Sequence, residues 1–312
     1  MNILIAGGTG LIGSALTSKL LGDGHQVTIL TRNPEKRKEA LTPGVSMVRW
    51  DGRSTDGWSH LVEETDAVIN LAGKSIAGES LPAIFLRRWT EEGKRRIRQT
   101  RVDAGHALTA AIRSARKKPD VFIQSSAVGY YGPRGSEEIP ESAQGGSDEM
   151  AEICKDWEAS TQEVEQMGVR RAVIRTSLVF APVGGILPVM LLPFRLFIGG
   201  RLGTGRQMVS WIHIQDMVDA ITFLLGNPVA RGVFNMSSPN PVSNAEFGRI
   251  AGRVLRRPYW FPVPGFALKL LLGEKGTLVL DGQGTIPQRL LEAGFRFRFA
   301  ELEAALKDLL QV

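Results

Sequence analysis

The sequence predicts an α/β fold: a doubly wound parallel sheet with helices on both faces, followed by a small C-terminal domain on the substrate side. Three observations carry this. Short runs rich in Val and Ile do not alternate with polar residues, as expected of strands covered on both faces. Helical stretches separate those runs one after another. A glycine-rich turn joins the first run to the first helix.

In chain order, strands are expected at Asn2–Ala6, Gln26–Leu30, Ser46–Trp50, Ala67–Leu71, Val121–Ser126 and Arg171–Thr176. Helices are expected over Ile12–Leu21, Thr100–Arg113 and Glu149–Gln166. Beyond Arg175 the chain turns loop-rich, with Pro182, Pro188 and Pro193 close together and a substrate-side excursion over 183–206. Trp211–Ile214 reads as one more strand, leading into a helix from Asp216. Pro239, Pro241, Pro258, Pro262 and Pro264 punctuate the remainder. The expected division is a first domain over 1–236 and a C-terminal domain over 237–312; a length of 312 residues suits about two domains.

Composition narrows the classes of function. With 43% hydrophobic and 22% charged residues the chain can bury a core, which argues against disorder. Thirty-five glycines without a three-residue period indicate tight turns and not a collagen-like chain. Cys154 is the only cysteine, so neither an intramolecular disulfide nor a cysteine-built zinc site is possible; no metal is expected. No run reaches the 18 or so apolar residues that would span a bilayer, and the apolar start is too short for a signal peptide. The expectation is a cytoplasmic protein without a membrane partner. Lys94, Arg95, Arg96 and Arg98 form a basic cluster, but it lacks the interleaved aromatic residues of a single-strand nucleic-acid platform, so no nucleic acid is expected. Nothing in the sequence indicates an oligomeric state.

The strongest chemical signal is Gly7-Gly8-Thr9-Gly10-Leu11-Ile12-Gly13. Glycines at 7, 10 and 13 suit a tight turn, close approach of the backbone to a pyrophosphate, and close packing of helix on strand. The N-terminus of the helix that follows offers N–H groups to phosphate. The lysine and hydroxyl of an ATP-binding P-loop are missing, which favours a dinucleotide. The second strand ends in Thr31-Arg32, where an acidic residue would receive the ribose hydroxyls of NAD. A cation and a hydroxyl there suit the 2′-phosphate of NADP.

These residues resemble the extended short-chain dehydrogenase/reductases, the group that includes nucleotide-sugar epimerases. The resemblance rests on the glycine turn, on Val68-Ile69-Asn70-Leu71-Ala72-Gly73, on Ser125-Ser126-Ala127-Val128-Gly129-Tyr130-Tyr131-Gly132, and on Trp211-Ile212-His213-Ile214-Gln215-Asp216-Met217. Within that group the chain is most similar to the atypical epimerase-family branch. The shared patterns are Arg88-Trp89-Thr90, Leu191-Leu192-Pro193-Phe194-Arg195-Leu196, Phe261-Pro262-Val263-Pro264 and Leu290-Leu291-Glu292-Ala293-Gly294-Phe295. The resemblance implies a Rossmann-type domain that binds NADP(H) through Gly7, Thr9, Gly10, Leu11, Ile12, Gly13, Thr31, Arg32, Leu71, Ala72, Gly73, Arg101, Lys155 and Val179. It implies an oxidoreductase or epimerase-like enzyme acting on a nucleotide-sugar-like or other polar substrate.

The chain departs from that group where chemistry is done. The usual apparatus is a Ser or Thr at the end of the fifth strand and a Tyr-x-x-x-Lys on the next helix. Lys155 holds the lysine place, but Ala151 stands where the tyrosine belongs and Ala127 where the hydroxyl belongs. Ser126 is one residue early and, by strand alternation, points to the other face unless the strand end bulges. Ser126, Tyr131 and Lys155 are the expected catalytic set, with Tyr130 able to contribute. Cys154 reads as a buried helix cysteine and not as a nucleophile. Arg101 falls where the group often carries an asparagine on the cofactor side and is expected to reach a cofactor phosphate or the nicotinamide-side sugar. A different class of function stays open: an NADP(H)-binding regulatory or scaffold protein without turnover.

Overall fold

The computed structural model describes residues 1–35, 44–73, 90–273, 276 and 280–312. Seven strands build the central sheet: β1 (Asn2–Ala6), β2 (Gln26–Thr31), β3 (Val45–Arg49), β4 (Ala67–Asn70), β5 (Val121–Ala127), β6 (Arg170–Thr176) and β7 (Gly232–Met236). All neighbours run parallel, in the order β3-β2-β1-β4-β5-β6-β7. The expected doubly wound sheet is therefore present. Its chain order reverses beside β1, between β1 and β4, and at such a point the carboxyl ends of the strands open onto a ligand crevice.

Alternation along the strands sends side chains into two cores. Ile3, Ile5, Ile29, Ile69, Ile123 and Ile174 face α1 (Leu11–Gly22) and α5 (Ile214–Gly226). Leu4, Ala6, Leu30, Val68 and Phe122 face α2 (Glu91–Ser114). The helix expected from Thr100 begins earlier, because Thr90 caps it: its Oγ1 accepts from Gly93 N at 3.1 Å, and Glu91 and Glu92 follow in the first turn. The helix expected over 149–166 ends early. α3 (Glu149–Ala159) gives way to a 3₁₀ turn over Gln162–Met167. Asp148 caps α3 by accepting from Met150 N and Ala151 N.

A third core joins the excursion to the C-terminal region. Leu187, Leu191 and Phe194 of α4 (Leu187–Arg195) pack with Phe247 and Ala251 of α6 (Asn244–Leu255) and with Leu302, Leu306 and Leu309 of the last helix, Leu302–Leu310. The tail thus shares its core with the excursion. A strap ties it to the sheet domain. Asp216 accepts from Arg298 N at 2.8 Å and Phe299 N at 2.9 Å. His213 stacks on Phe299 with ring centroids 3.9 Å apart, and its Nδ1 accepts from Gln215 N at 3.0 Å. Among the described residues no helix is long and apolar enough to cross a membrane. The Arg88-Trp89 pair lies outside the described residues.

Candidate active site

At the glycine turn the backbone is shaped by contacts that only glycine permits. Gly7 has φ +83°, and a Cβ on it would sit 2.6 Å from the Leu71 carbonyl oxygen and 2.9 Å from Ala72 N. A Cβ on Gly13 would sit 2.5 Å from Gly7 O, and one on Gly8 would press to 2.8 Å against Ile29. The turn is therefore clamped between the ends of β2 and β4. Gly10 is different, since its Cβ would meet nothing closer than 3.5 Å. Gly10 is the N-cap of α1 and makes no side-chain cap, so no cap side chain competes for the first N–H groups of the helix. Thr9 lies half-buried at the apex. This cradle fits the pyrophosphate of a dinucleotide.

The remaining expected cofactor residues border the cradle. Thr31 ends β2 with its Oγ1 accepting from Asn33 N at 3.4 Å, and Arg32 beside it is exposed. Leu71, Ala72 and Gly73 follow β4, held by Asn70, whose Oδ1 accepts from Ala72 N at 3.1 Å while its Nδ2 donates to Gln124 Oε1. Val179 is buried in the short strand Leu178–Phe180. The turn at Gly184 and Gly185 passes over Leu11: a Cβ on Gly185 would come within 2.9 Å of Leu11 Cδ2 and 3.5 Å of Val179 O.

Arg101 is buried. A Cβ on Gly73 would sit 3.2 Å from its Cζ, and its guanidinium lies 4.7 Å from the centre of the Trp157 ring. Its Nη1 donates to Ile97 O at 3.0 Å. Burial pulls its pKa down to about 10, which still leaves it charged at neutral pH. The structure thus places Arg101 beside the segment after β4.

Around the end of β5 the register settles where each hydroxyl points. Pairing with β6 runs unbroken through Ser126–Arg175 and Ala127–Thr176, so there is no bulge. Ser126 points toward α3 and donates to Glu158 Oε1 at 2.7 Å. Arg175 clasps the same carboxylate, with Nε at 2.8 Å and Nη2 at 2.9 Å. Burial alone would lower the Arg175 pKa, but the Glu158 carboxylate reverses this and holds it above the ordinary arginine range. Tyr131 is fully buried and donates its hydroxyl to Asn235 Oδ1 at 2.8 Å; burial pushes its pKa up, with Arg175 opposing. Cys154 is buried, and its thiol is pushed up to about 12 by burial, with Glu158 adding to it, so it stays protonated.

Tyr130 and Lys155 occupy the open side of this cluster. A Cβ on Gly145 would sit 2.9 Å from both Cε1 and Cζ of Tyr130 and 3.1 Å from Cε of Lys155, so the phenol edge and the lysine chain converge on one stretch of backbone. Lys155 Nζ donates to Glu152 Oε1 at 2.7 Å, and that bond, with a smaller contribution from Tyr130, raises its pKa. The guanidinium of Arg175 lies 3.3 Å above the centre of the Tyr130 ring. Ala151, in the place of the usual tyrosine, is fully buried. Sequence reasoning named Tyr130 only as an auxiliary and missed Glu158, Arg175 and Gly145; no local motif marks them. Among the described residues no group of His, Cys, Asp or Glu is arranged to hold a metal.

The profile of the NAD-dependent epimerase/dehydratase family matches residues 3–237, about three quarters of the chain. The protein belongs to this family. A domain of unknown function, DUF1731, matches residues 263–309. The chain is 38% identical to epimerase family protein YfhF of Bacillus subtilis over 311 residues, covering 99% of this chain and 98% of that protein. It is 37% identical to the chloroplastic SDR39U1 homologue of Arabidopsis thaliana, covering 100% of this chain and 87% of that one. Among solved structures it is similar to human epimerase family protein SDR39U1, isoform 2, with NADPH, at TM-score 0.86 and 34% identity, over 100% of this chain and 99% of that one. It is also similar to the nucleoside-diphosphate sugar epimerase of Corynebacterium glutamicum, at TM-score 0.77 and 31% identity, over 99% of this chain and 58% of that one.

Proposed function

We propose that the protein is an NADP(H)-dependent oxidoreductase or epimerase-like enzyme whose proton relay is Tyr130 with Lys155. The observation that carries this is the convergence of the Tyr130 phenol, in the turn that follows β5, and the Lys155 chain on Gly145. Family membership and the human relative solved with NADPH support the cofactor. The glycine cradle takes the pyrophosphate, Arg32 and Thr31 take the 2′-phosphate, and Leu71–Gly73 with Val179 line the path toward the nicotinamide.

NADPH, when bound, supplies the hydride-transfer chemistry. The chain supplies the proton. Tyr130 delivers its phenolic proton to a carbonyl oxygen, and the cationic Lys155 ammonium stabilises the phenolate that is left. Buried Ser126 and Tyr131 stand behind this pair: Ser126 orients Glu158, and Tyr131 anchors the turn through Asn235. Arg101 braces the Leu71–Gly73 segment from the helix side and keeps the cofactor edge in place.

The test is a fluorescence titration with NADPH and NADH, paired with NADPH oxidation over a panel of aldehydes, ketones and nucleotide sugars. NADPH should bind at least about tenfold tighter than NADH, as one charge-assisted hydrogen bond of about 1.5–3 kcal/mol requires, and Arg32→Glu should erase the difference. Tyr130→Phe and Lys155→Met should each reduce turnover about 10²–10⁴-fold while NADPH still binds. Turnover that survives both substitutions would overturn the relay. Tight NADPH binding with no turnover of any compound would favour a regulatory role.

A further inference from the structure

The register of β5 and β6 brings forward a residue that no motif identifies. Ala127 occupies the place where a hydroxyl is wanted, and its partner across the sheet is Thr176. The preceding pair, Ser126 and Arg175, both turn to Glu158 on the α3 side. Side chains alternate along each strand, so Ala127 and Thr176 share the opposite face at the carboxyl edge of the sheet. Thr176 is the last residue of β6, and its Oγ1 is buried with no hydrogen-bond partner among the described residues. Its neighbour Ser177 shows the contrast, since Ser177 Oγ donates to Met236 O at 2.7 Å. A buried hydroxyl that bonds to nothing in its own chain is costly, and valine would fill the same space without that cost. A threonine here is explained if its hydroxyl serves a group that enters the crevice.

We propose that Thr176 supplies the hydroxyl missing at Ala127, as a catalytic residue that donates a hydrogen bond to the carbonyl oxygen of the substrate. This rests on the oxidoreductase reading above. NADPH, when bound, would supply the hydride to the carbonyl carbon, and the Tyr130 phenol would supply the proton to the carbonyl oxygen. Thr176 breaks no bond; its O–H stabilises the negative charge that builds on that oxygen. Adjacent strands in register hold a hydroxyl at Thr176 about one strand spacing, roughly 4.8 Å, from the same place on β5. The fold therefore keeps the hydroxyl at the same edge and the same face, carried by the next strand.

The test compares Thr176→Val, which keeps the shape, with Thr176→Ser, which keeps the hydroxyl. NADPH affinity should stay within about twofold of wild type in both. With a carbonyl compound that the wild type reduces, Thr176→Val should lose about 100-fold in kcat, the scale of one oxyanion donor, and Thr176→Ser should recover to within about threefold. Full activity in Thr176→Val would overturn the proposal. A crystal structure of the wild type with NADP⁺ provides a second arm that needs no turnover. Thr176 Oγ1 should lie within hydrogen-bonding distance of a water above the nicotinamide ring, in the place of the substrate carbonyl oxygen; an Oγ1 bonded to the main chain or to the nicotinamide carboxamide instead would overturn the proposal. If the wild type reduces no compound, the oxidoreductase reading fails on that result alone, while the crystal structure still decides Thr176.

Discussion

Arg175 lies over Tyr130 with its guanidinium carbon 3.3 Å from the ring centre, and Glu158 holds it there through two hydrogen bonds. The phenol proposed to move the proton is thus positioned by a buried ion pair between β6 and α3. Removing one partner of such a pair leaves an uncompensated buried charge and is strongly destabilising, by about 3–5 kcal/mol. Glu158→Gln keeps the size and one acceptor, so it is the more informative change. We expect it to lower the melting temperature and to reduce kcat while leaving KM for NADPH near wild type. Thermal unfolding combined with steady-state kinetics checks this; an unchanged kcat would show that Tyr130 needs no such positioning.

The two outer glycines of the turn should differ sharply from the middle one. A Cβ at residue 13 would penetrate to 2.5 Å of Gly7 O, while at residue 10 it would meet only an ordinary contact at 3.5 Å. Gly13→Ala is expected to abolish NADPH binding and to destabilise the fold by about 1–3 kcal/mol through overpacking. Gly10→Ala is expected to fold normally, with any loss confined to cofactor affinity. Melting curves with and without NADPH separate the two effects.

Arg101 and Arg95 sit on the same helix in opposite settings. Arg101 is buried against Gly73 and Trp157, whereas Arg95 is exposed. Arg101→Ala should weaken NADPH binding severalfold or more by loosening the segment after β4. Arg95→Ala should have no measurable effect, since isolated exposed charges contribute about 0–1 kcal/mol. Equal affinities for the two variants in a fluorescence titration would leave Arg101 with a packing role alone.

The strap at His213 makes stability depend on pH. Burial depresses the His213 pKa below its ordinary value of 6.5, with Asp308 and Asp216 opposing. Its Nε2 lies 3.2 Å from an Asp308 carboxylate oxygen without the alignment of a hydrogen bond. The unfolded chain therefore binds this proton more readily than the folded one. The contribution is fully present above about pH 6.5 and is lost as pH falls through the depressed folded value. Asp216 has the opposite sign. Burial raises its pKa, so its term favours the fold at low pH and is lost as pH rises through the folded value. Between pH 7.5 and 5.5 the wild type should lose more melting temperature than His213→Asn, which keeps an N-cap acceptor without titrating there.

The sequence by itself determined the sheet, the glycine turn and the alanines at the usual catalytic places. Each depends on residues close together in the chain. Glycines at 7, 10 and 13, uniform Val and Ile runs, and alanines at 127 and 151 are all visible within a few positions. Strand alternation also assigned Ser126 to the far face, and the unbroken register bears that out. Only the tertiary structure decided which groups meet. Tyr130 and Lys155 both approach the backbone at Gly145, and Arg175 reaches Tyr130 because β6 docks beside β5 and Glu158 comes down from α3. Thr176 comes level with Ala127 through pairing between strands 49 positions apart in the chain. Such meetings depend on sheet register and helix docking, which are set by the summed packing of the whole core.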